Sequence, residues 1–148
     1  DAIRISEAFD RKTIDKLWLS EGFSLDPTGG ESGTGALFCH KTQKDRQMLS
    51  TLQLKLNSQF RYRAAIRYKA ENLKDVKGSR LFCIEFYNKS KYAGGEYSYK
   101  EVTENQWTEI ILEFQPPPQF DSAFAGFLIP KSATGKVWWD NFSIEPVK

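Results

Sequence analysis

The chain is poor in the residues that carry most enzymatic chemistry. Among 148 residues there are one histidine, His40, two cysteines, Cys39 and Cys83, and one methionine. A zinc centre needs several His or Cys ligands held close together, so that class is excluded. The strand-turn-helix serine elbow and the glycine-rich phosphate loop are also missing. Lys and Arg number 21 against 19 Asp and Glu, a net charge of +2. No run of basic residues concentrates that charge, so the electrostatic footprint of a nucleic-acid binder is lacking. No apolar run approaches the roughly 18 to 20 residues that cross a bilayer, and the chain opens on polar Asp1 rather than on a basic segment and an apolar signal core. Neither nucleic acid nor membrane is an expected partner.

What the chain does have is alternation. Phe60, Tyr62, Ala64, Ile66 and Tyr68 alternate with Arg61, Arg63, Ala65 and Arg67. Leu52, Leu54 and Leu56, then Phe82, Ile84 and Phe86, then Ile110, Leu112 and Phe114 repeat the pattern, and Phe124 to Ile129 and Val137 to Ile144 extend it. A period of two is that of a strand with one face in a core. Turn-rich stretches separate these runs, among them Asp26-Pro27-Thr28-Gly29-Gly30, Lys77-Gly78-Ser79, Ala93-Gly94-Gly95 and Lys131 to Gly135. No capped helical period competes with them. The length suits one domain over residues 1–148, and short strands joined by Gly and Pro turns predict an all-β antiparallel sandwich, a jelly roll of two sheets and about eight strands. Pro116-Pro117-Pro118 cannot pair inside a sheet and is read as a rigid connection between strands. Cys39 and Cys83 lie in strand-like runs and are read as buried thiols acting as small hydrophobes, with one bridge between them as the alternative.

The last strand, Gly135-Lys136-Val137-Trp138-Trp139-Asp140-Asn141-Phe142-Ser143-Ile144, places one acid among bulky apolar residues. A buried carboxylate needs hydrogen bonds, a cation or a strand end. Taken with Gly35-Ala36-Leu37-Phe38, Leu52-Gln53-Leu54, Phe60-Arg61-Tyr62-Arg63-Ala64, Trp107-Thr108-Glu109-Ile110 and Phe114-Gln115-Pro116, it resembles the jelly-roll carbohydrate-binding modules of the family 4, 9 and 22 type, from about Gly35 onward. The resemblance implies a non-catalytic domain that brings a polysaccharide to the catalytic domain of a larger secreted, extracellular enzyme. It also implies a structural calcium remote from the sugar, with Asp140 matching the family's C-terminal aspartate and Asp10 standing where its acidic partner is expected. Glu31 is a third candidate oxygen donor. Calcium takes about six to eight oxygens. For Asp140 metal binding and structural hydrogen bonding both stay open.

Sugars present apolar C–H faces and rings of hydroxyls, so a binder needs flat aromatic platforms beside polar groups. By alternation Arg63, Arg67 and Lys69 share the outer face of one strand, and Cys83, Glu85 and Tyr87 that of another. If the two strands are neighbours, Arg63, Arg67, Glu85 and Tyr87 line one groove, whose basic tilt would suit a uronate or sulfated glycan; otherwise they are solvated sheet residues with pairs such as Arg67 and Glu85. Tyr92, Tyr97 and Tyr99 around Gly94-Gly95 are read either as a tyrosine loop facing a sugar or as a hairpin. Alternation from Phe142 and Ile144 assigns Trp138 to the core and leaves Trp139 on the outer face as a platform.

Two other classes use the same strands. A jelly-roll polysaccharide lyase would use a tyrosine as base or acid, with Arg and His or Asn neutralising the uronate, and a glycosidase would need two carboxylates, drawn from Glu85, Glu109 and Glu113, about 5 to 9 Å apart across a cleft. His40, alone in a strand, reads as structural. A structural or adhesive sandwich would differ only in lacking an exposed aromatic site.

Overall fold

The computed structural model describes residues 5–7, 17–31, 33, 35–76 and 80–147. Among them run β1 (Ile5–Glu7), β2 (Leu17–Trp18), β3 (Phe23–Asp26), β4 (Ala36–Lys41), β5 (Met48–Leu54), β6 (Tyr62–Lys74), β7 (Phe82–Asn88), β8 (Lys91–Tyr97), β9 (Thr108–Phe114), β10 (Ser122–Ile129) and β11 (Thr134–Pro146). The first sheet has the order β3-β4-β11-β6-β9, with β1 also on β11, and the second has the order β2-β5-β10-β7-β8. Every pairing between these strands is antiparallel. The expected all-β sandwich of two sheets forms.

The alternating runs supply its inner faces. Tyr62, Ala64, Ile66 and Tyr68 of β6 and Ile110, Leu112 and Phe114 of β9 point inward from the first sheet; Leu52, Leu54, Phe82, Ile84, Phe86, Phe127 and Ile129 do so from the second. Full burial of one large apolar side chain contributes roughly 1.5 to 3 kcal/mol, so this set is the main source of stability. Cys39 and Cys83 are both buried and free, as two thiols rather than a bridge.

β11 departs from simple alternation. Its pairing with β6 slips between Asp140 and Ser143, and Asn141 has φ 53°. Such a bulge inserts an extra residue and reverses the inside-outside parity of everything before it. Phe142 and Ile144 stay in the core, but upstream the inward residues become Val137 and Trp139. The sequence expectation for the two tryptophans is therefore reversed. Trp139 is 0 % exposed, donates its indole N–H to the Leu81 carbonyl at 2.9 Å and stacks on Phe23 at 5.7 Å, so it cannot meet a sugar. Trp138 is the half-buried one, packed beside Phe38 at 4.8 Å with its N–H on Asp26 Oδ2 at 3.2 Å.

The bulge also marks a change of partner. Gly135 to Trp139 pair with β4, whereas Phe142 to Ile144 pair with β1. A second polar anchor lies at the end of β4, where buried Lys41 donates to the carbonyls of Gln43, Lys131 (3.0 Å) and Ala133 (2.7 Å). Three acceptors match the three protons of an ammonium, and they tie the β4–β5 loop to the β10–β11 turn.

Truncating a buried tryptophan leaves a large cavity, so Trp139→Ala is expected to cost about 3 to 5 kcal/mol and Trp138→Ala clearly less. Urea unfolding of the two variants measures the difference; equal losses would contradict the parity reversal.

Candidate functional site

The outer face of the second sheet gathers most of the polar aromatic residues singled out in the sequence. β7 and β8 form a tight hairpin turned at Lys89 and Ser90, whose φ values of 50° and 66° are those of a two-residue primed turn. The turn therefore lies before Gly94-Gly95, which sit inside β8, and the hairpin reading of this segment holds. The register sets Cys83 opposite Tyr97, Glu85 opposite Gly95 and, after an irregularity at Phe86, Tyr87 opposite Tyr92. Three tyrosines thereby surround one carboxylate.

Their hydroxyls form a chain across the sheet. Tyr97 donates to Glu85 Oε2 at 2.6 Å, Tyr87 to Glu85 Oε1 at 3.4 Å, and the hydroxyls of Tyr92 and Tyr97 lie 3.0 Å apart. Gly95 makes this arrangement possible: a Cβ there would lie 2.6 Å from the Tyr97 hydroxyl oxygen and 2.8 Å from that of Tyr92. Tyr87 stands edge-on between Tyr92 and Phe124, both at 6.0 Å. Tyr92 is 56 % exposed, so the chain of hydroxyls reaches solvent. Next to it Gly126 keeps the floor low, since a Cβ there would meet Cys83 Sγ at 2.7 Å.

The Tyr97 and Tyr87 phenols are held neutral. Burial first, then the hydrogen bonds to Glu85 and Tyr92, push the Tyr97 phenol well above its ordinary value, and burial with the Glu85 charge raises Tyr87. The same burial and carboxylate push the Cys83 thiol up to about 12. A neutral phenol both donates and accepts, while Glu85 accepts. Together they offer donors, acceptors and aromatic edges to a ring of hydroxyls.

The other expected site residues lie elsewhere. Consecutive β6 and β7 enter different sheets, so Arg63 and Arg67 project from the opposite outer face to Glu85 and Tyr87, and no common groove forms. Arg63 Nε and Nη2 donate to Glu113 Oε1 at 3.0 and 2.7 Å; Arg67 makes two 2.7 Å bonds to Glu31 rather than pairing with Glu85; Lys69 lies 3.4 Å from Glu71. The basic tilt read from those three residues is thus neutralised by three glutamates. Glu109 and Glu113 belong to β9, so neither faces Glu85 across a cleft. Phe124 and Gly126 escaped notice, although their alternation with the buried Ala123, Ala125 and Phe127 places them outward.

Asp10 lies outside the described residues. Asp140 is buried, with Oδ2 accepting the Glu31 N–H at 3.1 Å and Oδ1 that of Asn141 at 2.8 Å. A Cβ on Gly30 would lie 2.6 Å from both Asp140 Oδ2 and the Gly35 carbonyl oxygen, so two hard oxygens of the kind calcium takes converge there. Glu31 does not add a third, because both its oxygens are engaged by Arg67. No cluster of three acidic, His or Cys side chains suited to a metal occurs among the described residues.

No protein-family model matches the chain, and no curated protein matches it. Solved structures do. The CBM22-1 xylan-binding domain of Paenibacillus barcinonensis Xyn10C superposes with a TM-score of 0.72 at 16 % identity, over 100 % of this chain and 96 % of that one. The chain has the fold of a jelly-roll carbohydrate-binding module. It spans 28 % of the Clostridium thermocellum xylanase 10B CBM22-1-GH10 structure complexed with xylohexaose, at TM-score 0.70, 14 % identity and 97 % of its own length. A mannan-recognising module, TmCBM27, matches over 100 % of this chain and 99 % of its own at TM-score 0.52 and 14 % identity.

A raised phenol pKa means that the neutral form is favoured in the folded state, so its stability contribution is full below the ordinary tyrosine value of about 10 and is lost as pH climbs above it. In an alkaline absorbance titration a separate late tyrosine transition is expected from Tyr97, and Glu85→Gln is expected to bring that transition down. A single transition in both proteins would contradict the hydroxyl chain.

Proposed function

We propose that this chain is, as one domain, a non-catalytic carbohydrate-binding module that holds a polysaccharide across the outer face of its second sheet. The observation that carries the reading is the hydroxyl chain Tyr92–Tyr97–Glu85–Tyr87, half-buried at its base and open at Tyr92. Glu85 would accept from sugar hydroxyls, the phenols would donate or accept, and the rings would pack on C–H faces. The site consists of Glu85, Tyr87, Tyr92 and Tyr97, flanked by Phe124; Arg63, Arg67 and Trp139 have no part in it. Xylan-binding and mannan-recognising modules of the same fold support the ligand class. The pairing of one of them with a GH10 module supports a place beside a catalytic domain in a secreted, extracellular enzyme.

The lyase alternative fares worse. A tyrosine base works only as phenolate, and the environment of Tyr97 and Tyr87 opposes that ionisation. The purely structural alternative leaves an exposed tyrosine cluster around a carboxylate without a purpose.

Calcium belongs to the same proposal as a structural ion. Asp140 and the Gly35 carbonyl would supply two of its oxygens, and the ion would tie the 29–35 turn to β11. An ion bound only by the folded state raises stability by binding linkage. Chelator is therefore expected to lower the melting temperature while leaving glycan affinity intact; an unchanged melting curve together with no metal by mass spectrometry removes the ion.

Calorimetric titration with xylan, mannan and mixed-linkage glucan tests the binding site. Losing a hydrogen-bonding charge costs about 1.5 to 3 kcal/mol, so Glu85→Gln is expected to weaken binding about 10- to 100-fold, with Tyr92→Ala weakening it too. Heat silence across the panel, or full affinity in Glu85→Gln, would overturn the reading.

A further inference from the structure

A cleft lies at the β10–β11 turn. It is lined by Lys44, Gln47, Arg80, Pro130, Lys131 and Ser132. Arg80 joins it to the tyrosine cluster, its guanidinium carbon 5.9 Å from the centre of the Tyr97 ring. Lys44 is ion-paired with Asp75. Among the described residues no ion pair engages Arg80 or Lys131. The buried Lys41 ammonium lies 3.0 Å behind the Lys131 carbonyl and adds positive charge that water reaches poorly.

The side-chain charges therefore differ along one face. Glu85 is met by the Tyr97 and Tyr87 hydroxyls rather than by an ion-paired cation, whereas Arg80, over the Tyr97 ring, and Lys131 have no carboxylate partner among the described residues. A polyuronate would set carboxylates against Glu85, at a repulsive cost. A wholly neutral chain would leave Arg80 and Lys131 unused. We infer that the ligand is a neutral glycan backbone bearing a carboxylate substituent, with the backbone on the tyrosine cluster and the substituent's carboxylate between Arg80 and Lys131. Guanidinium meets carboxylate through paired N–H donors, which favours this anion in the cleft. The inference rests on the glycan-binding reading of the tyrosine cluster and names its ligand more closely.

The test is titration of the full chain with glucuronoxylan and with the same polymer after reduction of its carboxyl groups to alcohols. The native polymer is expected to bind about three- to tenfold more tightly at low salt, the ratio shrinking toward one at high salt because the cations are exposed. Lys131→Gln and Arg80→Gln are expected to bring that ratio toward one, while Lys131→Arg keeps it; equal melting temperatures show that the variants fold. Equal affinity of the unaltered chain for both polymers, or a ratio untouched in the Gln variants, would overturn the substituent site alone. Absence of binding to either polymer would overturn the substituent site as well, and, joined to heat silence with mannan and mixed-linkage glucan, the glycan-binding reading beneath it.

Discussion

The bulge at Asp140 and Asn141 is the constraint on which the rest of the structure depends. β11 lies at the centre of the first sheet, against β6 along one edge and against β4 and then β1 along the other. A carboxylate in that position would be costly if left bare, by several kcal/mol. The bulge turns it toward backbone N–H groups instead. Through Glu31, whose N–H binds Asp140 and whose carboxylate holds Arg67, the anchor extends to the outer face. The parity switch it imposes delivers Trp139 to the core, where its ring meets Phe23 and Phe127 and its N–H meets a backbone acceptor.

The two outer faces differ in how their charges are matched. On the first sheet each arginine singled out, Arg63 and Arg67, has a glutamate partner, leaving a surface of satisfied ion pairs. On the second sheet Glu85 is met by hydroxyls rather than by a cation, and hydroxyls are the groups that a sugar can replace or extend. That difference, more than aromatic content, is why the proposed binding site is put on the second face. The glycines make it accessible: Gly95 lets two phenols fold over the strand, and Gly126 leaves the adjoining strand without a side chain.

Much of the fold was legible because a period of two is a local property. Strands such as Tyr62 to Tyr68 or Ile110 to Phe114 declare their inner faces without reference to anything distant, and the same rule set Glu85 and Tyr87 together. It failed where pairing is decided by distant partners. Nothing local says that β6 and β7 part into different sheets, so Arg67 was joined to Glu85 when its partner is Glu31. Nothing local distinguishes a bulge at Asp140-Asn141 from regular alternation, so the tryptophans were exchanged. Gly94-Gly95 reads as a turn by composition, while the turn itself uses Lys89 and Ser90 in left-handed conformations that their residue types do not announce.

The sequence alone carries the all-β class, the inward set of most strands, the scarcity of His and Cys, and the clustering of Tyr92, Tyr97 and Tyr99 in one segment. These follow from composition and from side-chain direction along a single strand. The tertiary structure alone fixes which outer face carries the cluster, which tryptophan is buried, and that Arg80 lies over Tyr97 while lining a cleft with Lys131. Those outcomes depend on sheet order, register and one inserted residue, which arise when strands distant in sequence compete for the same hydrogen-bonding edges.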